Sequence, residues 1–198
     1  GQLKISHVGS HPPGLYVSGN SNVSRDTALR QGATWLRYGN TLEQVAENIK
    51  PAVAAGVDVG LRMSVIVRPT REEVLTEIDN MMQGADEDWA KAIKDYVANC
   101  DSTAVKSVFD LAANAKDDWL DDVLWSGAIP FRGGPALAMA GDADQVADYI
   151  MKYKAAGVSA FILSGWPQLQ EMAYFTELVI PRVRALEAEQ QKRQQATT

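Results

Sequence analysis

Gln44-Val45-Ala46-Glu47-Asn48-Ile49-Lys50-Pro51-Ala52-Val53-Ala54-Ala55-Gly56-Val57 decides how this chain folds, because its outline returns once. Gln145-Val146-Ala147, Ile150 and Ala155-Ala156-Gly157-Val158 repeat it at a constant offset. Each copy opens on a helix-entry signal. Thr41 stands three residues before Gln44 and Asp142 three before Gln145, so a cap and an N3 side chain can satisfy free backbone N–H groups. Val45, Ile49 and Val53, and in the second copy Val146, Ile150 and Tyr153, recur at helical spacing and form one apolar stripe. Gly56 and Gly157 suit left-handed helix ends. Past each glycine runs a nearly continuous apolar segment, Val57 to Val67 and Val158 to Leu163, as expected of a strand covered on both faces. Pro51 removes one helical hydrogen bond, so a kink or altered cap is expected there.

Working outward, Leu15-Tyr16-Val17 and Thr34-Trp35-Leu36-Arg37-Tyr38 read as two earlier strands, separated by a short helix over Val23 to Gln31. The order is β-α-β-α-β, a long interruption, then α-β-α, with a last helix from about Glu171 to Gln191. Strands alternating with helices imply a parallel sheet. Four strands match half of an eight-stranded barrel, whose chemistry lies on the loops after the strands. The fold class is thus α/β, the C-terminal half of a TIM (β/α)8 barrel, strands 5–8, with a helical insertion. The half-barrel spans 1–187. The insertion, about 69–139, carries helical pieces around Arg71–Met82, Trp89–Asn99, Thr103–Asn114 and Asp117–Trp125. The polar tail 188–198 is expected to fray.

Of 198 residues 46% are hydrophobic and 22% charged, enough to bury a core. A net charge of -6 without a basic face argues against nucleic acid as partner. One cysteine, Cys100, allows no intrachain disulfide and fits a reducing cytoplasm; it reads as packing. The two histidines, His7 and His11, lack Cys or acidic companions at ligand spacing, so no metal site is expected. No apolar run reaches the roughly 20 residues of a membrane span.

Four segments, in order, carry a resemblance: Leu15-Tyr16-Val17-Ser18-Gly19-Asn20-Ser21, Gly60-Leu61-Arg62-Met63-Ser64-Val65-Ile66-Val67-Arg68, Phe131-Arg132-Gly133-Gly134, and Phe161-Ile162-Leu163-Ser164-Gly165-Trp166-Pro167. The chain resembles the second half of the luciferase-like, flavin-dependent monooxygenases, with the alkanesulfonate monooxygenases as the nearest branch. The resemblance implies reduced FMN delivered by a separate flavin reductase, oxygen as oxidant, and a small organic substrate, a sulfonate cleaved to sulfite and an aldehyde in that branch. It also implies that the isolated half does not turn over; and because a half barrel exposes two sheet edges and an apolar interior, a homo-oligomer or the missing N-terminal half is expected to cover them. A half-barrel that has lost catalysis and binds flavin or ligand by pairing with another chain is the alternative, and a phosphate-binding barrel enzyme unrelated to flavin a third reading.

By the same resemblance Ser18, Gly19, Asn20 and Ser21 hold the FMN phosphate, where small side chains meet a helix N-terminus; a plain strand-to-helix turn would use the same residues. Arg62 is a lone charge in an apolar strand, expensive unless paired or facing a ligand, and the matching arginine of the family lines the active site. Arg132, flanked by Gly133 and Gly134 on a potentially mobile loop, matches an arginine that closes over substrate; a solvated surface arginine is the plain alternative. Ser64 and Trp166 complete the candidate catalytic set as departures, standing where the branch has a histidine and a tyrosine. Arg37, Tyr38 and Asn40 lie at a strand end within reach of a ligand, with a structural role favoured, and Trp35 reads as core.

Overall fold

A computed structural model describes residues 13–197; His7 and His11 lie outside them. Six strands and nine α-helices are seen among these residues. The first part alternates: β1 (Tyr16–Ser18), α1 (Asn22–Gln31), β2 (Thr34–Tyr38), α2 (Leu42–Ala54) and β3 (Val59–Val67). The end repeats that grammar as β5 (Ala138–Gly141), α7 (Ala143–Ala156), β6 (Ala160–Ser164), α8 (Gln168–Tyr174), a π-helical turn Phe175–Val179, and α9 (Ile180–Thr197). Between them lie α3 (Arg71–Met82), α4 (Glu87–Asn99), α5 (Thr103–Ala113), β4 (Leu124–Trp125), the short α6 (Ile129–Arg132) and a 3-10 turn Gly134–Ala136.

Four strands form the half-barrel in the order β1, β2, β3, β6, all parallel. Backbone direction along β3 fixes this order, since successive peptide groups point to opposite edges. The Arg62 carbonyl accepts from Gly39 N–H at 3.2 Å on the β2 edge, whereas the Val59 carbonyl accepts from Ser159 N–H at 2.9 Å on the β6 edge. Ser64 N–H donates to Leu137 at 2.8 Å on the β2 edge, so β5 continues that edge beyond the end of β2. β4 pairs antiparallel with β5.

Side-chain alternation splits the sheet into two faces. Val59, Leu61, Met63, Val65 and Val67 are wholly buried beneath the helices, in one core with Val45, Ile49 and Ala52 of α2 and Val146, Ile150 and Tyr153 of α7. The lumenal face carries Leu36, Tyr38, Gly60, Arg62 and Ser64, with Ala160, Ile162 and Ser164 in register on β6. The two repeats meet where Gly157, in the left-handed region at φ 111°, lies against Val53; a Cβ there would fall 2.5 Å from the valine side chain. Pro51 sits in the last turn of α2 without ending it, because the helix runs only to Ala54.

Three expectations need correction. Asp117–Trp125 is not helical: Asp117 and Asp118 take positive φ, and Asp121 Oδ1 accepts from Val123 N–H at 2.8 Å and Leu124 N–H at 2.7 Å. A side chain that captures nearby backbone donors competes with a helix. The insertion consequently includes two strands rather than helices alone. The polar end does not fray at Ala188 either, since α9 continues to Thr197. Val179 and Val183 anchor its start, and adding a turn to a formed helix is far easier than nucleating one.

Candidate active site

The Ser18-Gly19-Asn20-Ser21 turn is built by its own side chains. Ser21 caps α1, accepting from Ser24 N–H at 3.2 Å, while Ser24 Oγ donates to the Gly19 carbonyl at 2.9 Å. Gly19 takes φ 137°, and a Cβ there would lie 3.0 Å from Ser24 Oγ, so glycine suits both the conformation and the space. Asn20 clamps three elements: its oxygen accepts from Tyr38 N–H at 3.0 Å, and its amide donates to Ser107 of α5 at 3.1 Å. The Asn20 side chain therefore has a structural task that its place in a turn motif did not signal.

A cavity of about 350 Å³ opens at these strand ends, lined in part by Ser18, Gly19, Asn20, Tyr38, Arg62 and Ile162. The turn of β1 and the arginine of β3 thus share one space. Ser21 lies behind it as the helix cap. Arg62 Nη1 is held toward β6, donating to the Met63 carbonyl at 3.0 Å, the Ile162 carbonyl at 3.4 Å and Ser164 Oγ at 2.9 Å. Ser64, fully buried, donates to the Pro135 carbonyl at 2.8 Å and lies 3.3 Å from Ser164 Oγ.

Arg132 does not sit on an irregular loop. It ends α6, whose Phe131 carbonyl is held by Trp89 Nε1 at 3.1 Å. Its guanidinium lies 4.9 Å from the Trp166 ring centre, a cation–π distance, so these two candidates meet beyond the end of β6. Arg132 also borders a second cavity of about 300 Å³ with Met81, Met82, Trp89 and Phe131. Gly134 rests on Tyr38, where a Cβ would fall 2.5 Å from the ring, so the 3-10 turn after Arg132 packs directly on the end of β2.

Arg37 points to the helix side with Trp35, over whose ring it lies at 5.2 Å. It is 5% exposed; Nε and Nη1 have no hydrogen-bond partner, and burial brings its pKa down to about 10. Trp35 is buried, its indole donating to the Gly19 carbonyl at 2.8 Å. Asn40 presents its carbonyl to the Tyr153 hydroxyl at 2.5 Å. Cys100 caps α4, half-buried. Sequence reasoning passed over Ser164, which contacts both Arg62 and Ser64, because a serine in a strand carries no distinctive pattern. It also passed over Glu171, fully buried and accepting from Val67 N–H at 2.6 Å and Arg68 at 2.9 Å. Among the described residues no group of three His, Cys, Asp or Glu side chains could hold a metal ion. None of the described helices is long and apolar enough to cross a membrane.

The family model described as luciferase-like monooxygenase matches residues 3–160. The chain belongs to the luciferase-like monooxygenase family. Solved structures reproduce its fold. DmoA from Hyphomicrobium sulfonivorans superposes with a TM-score of 0.67 at 16% identity, covering 94% of this chain and 46% of that one. EDTA monooxygenase from Chelativorans sp. BNC1 gives 0.58 at 21% identity, covering 89% and 47%. A riboflavin lyase, solved with modified FMN and riboflavin, gives 0.63 at 17% identity, covering 89% and 44%. The chain therefore spans less than half the length of these solved structures. The four parallel strands are part of a (β/α)8 barrel, with α3 to β5 interrupting the alternation between β3 and α7.

Proposed function

We propose that this chain supplies the C-terminal wall of an FMN-dependent monooxygenase of the luciferase-like family, in which reduced FMN from a separate reductase is used with O2 on a small organic substrate. One observation carries the reading: Arg62, the one charge on the lumenal face of β3, opens into the same cavity as the Ser18-Gly19-Asn20 turn. A guanidinium and the small-residue turn that leads into α1, sharing one cavity, suit an anionic cofactor or substrate group. The fit to FMN is therefore partial and specific. The turn before α1 would hold the phosphate, and the lumen beside Arg62 would take the ring or the substrate; when bound, the flavin supplies the redox chemistry. The chain's own part is to bind, orient and exclude water, Arg62 facing negative charge and Arg132 with Trp166 covering the strand ends.

A sulfonate is the finer proposal for the substrate, supported by the four motif segments and by two arginines near one strand end. Ser64 and Trp166 weigh against it, since a hydroxyl does not titrate near neutrality as imidazole does and an indole lacks the phenol's oxygen. These two side chains also favour the second reading, a half-barrel that binds flavin without turnover. The lumenal face and both outer strand edges await four further strands, from a second copy or from an N-terminal half, and a cytoplasmic setting fits the lone cysteine. Anaerobic titration of the completed barrel with reduced FMN tests the proposal. Saturable binding weakened at least tenfold by Arg62→Ala is expected, and no binding would overturn it. Oxygen uptake with bound FMN then separates the enzyme from the non-catalytic binder.

A further inference from the structure

We infer that Ser164 is a positioning residue that ties the Arg62 guanidinium to the segment carrying Arg132. The donor inventory fixes the direction of the chain between them. Pro135 offers only a carbonyl, so the Ser64 hydroxyl proton, 2.8 Å away, goes there. Having one proton, Ser64 Oγ must then accept across the 3.3 Å contact, and Ser164 must donate. Ser164 Oγ, its proton committed, accepts from Arg62 Nη1 at 2.9 Å. Arginine only donates and a carbonyl only accepts, so both ends of the line are fixed: Arg62 to Ser164 to Ser64 to Pro135. The serine–serine contact is the longest link and the weakest.

The consequence lies at the two ends. Pro135 follows Arg132 by three residues, within the 3-10 turn Gly134–Ala136 that also rests on Tyr38. Arg132 stacks on Trp166, two residues beyond Ser164. The strand end Ser164–Trp166 therefore touches both arginines, one through a hydroxyl and one through an indole. A change at Arg62 should be felt in the 134–136 turn although the hydrogen bonds seen for Arg62 go to Met63, Ile162 and Ser164. The importance of this coupling for catalysis rests on the function proposed above; its existence does not.

Hydrogen exchange of the full chain tests it, read on the peptide spanning residues 132–137. Ser164→Thr keeps the hydroxyl and Ser164→Val removes it at nearly equal volume, so packing is controlled. Exchange in the 132–137 peptide should rise about three- to tenfold in Ser164→Val, the effect of one net hydrogen bond, and remain as in the parent for Ser164→Thr. Arg62→Ala should raise it in the same direction and Arg62→Lys should restore most of the protection, with the peptides of β1 and β2 unchanged throughout. Equal exchange in the Thr and Val variants, or an Arg62→Ala variant indistinguishable from the parent, overturns the proposal. Flavin takes no part in this measurement. A barrel that bound no FMN while the coupling held would refute the proposed function alone.

Discussion

Arg68 pairs with a carboxylate buried inside the protein. Glu171 is fully buried, and Arg68 meets it at 2.9 Å while reaching Glu77 at 3.2 Å and stacking 4.5 Å from the Tyr174 ring centre. Burial pushes the Glu171 carboxyl upward, and the Arg68 fork and the Val67 N–H pull against it. Arg68→Met should therefore cost about 3–5 kcal/mol in chemical denaturation, the usual result of stranding a buried charge. A carboxyl whose folded pKa is raised destabilises as pH rises through that value. The loss should accordingly be larger at pH 8 than at pH 5. Arg37 is the opposite case, a buried guanidinium with two unpaired nitrogens that lies over the Trp35 ring. Arg37→Met should leave stability unchanged or raise it by about 1–2 kcal/mol, read as the urea midpoint; a loss above 1 kcal/mol would mean that Arg37 is paired in solution. Arg62 was visible in the sequence because a charge in an apolar run demands a reason. Glu171 was not, since an acidic residue early in a helix looks like ordinary dipole compensation until α8 is packed on β3.

Helix caps show how far local sequence reaches. α7 has a full capping box: Asp142 accepts from Gln145 N–H at 2.9 Å and Gln145 returns to Asp142 N–H at 3.1 Å. The matching Thr41 contact to Gln44 N–H is 3.4 Å long. Asp142→Ala should then cost about 1–2 kcal/mol and Thr41→Ala less; equal losses in thermal denaturation would contradict this ranking of the two copies. Both caps were legible because they depend on residues three apart. The segment 117–125 was not, because its Asp-rich composition satisfies helix and turn alike, and Tyr149 of distant α7, which bonds Asp121, helps settle the turn. The segment around Arg132 likewise read as a flexible glycine loop. Gly133 and Gly134 instead serve a positive φ and a close approach to Tyr38. Gly134→Ala should displace the turn and weaken the Arg132–Trp166 stack, seen as a shift in tryptophan emission, with a stability loss of about 1–3 kcal/mol from overpacking.

The whole molecule has an unusual surface for a parallel sheet. Tyr16 on β1 is 65% exposed and Ile162 on β6 is 42% exposed, at the two outer edges of a four-strand arc whose lumenal side is open. Among the described residues no strand pairs with the outer edge of β1 or of β6, and such edges invite further strands. The 21.5 kDa chain on its own is expected to associate, and light scattering should give a mass of at least twice that value; a monodisperse monomer would show that the edges are tolerated. The αβ repeat and the parallel half-barrel were carried by sequence, because hydrophobic period, cap and glycine signals act over a few residues and recur in order, and the family by the resemblance of four motif segments in matching order. Only the tertiary structure decided that β5 extends the β2 edge of β3, that Asn20 is a clamp, and that Ser164 stands between Arg62 and Ser64. Those outcomes depend on contacts between residues some twenty to a hundred apart in the chain, and a hydroxyl or an amide acquires a partner only when the fold brings one within 3 Å.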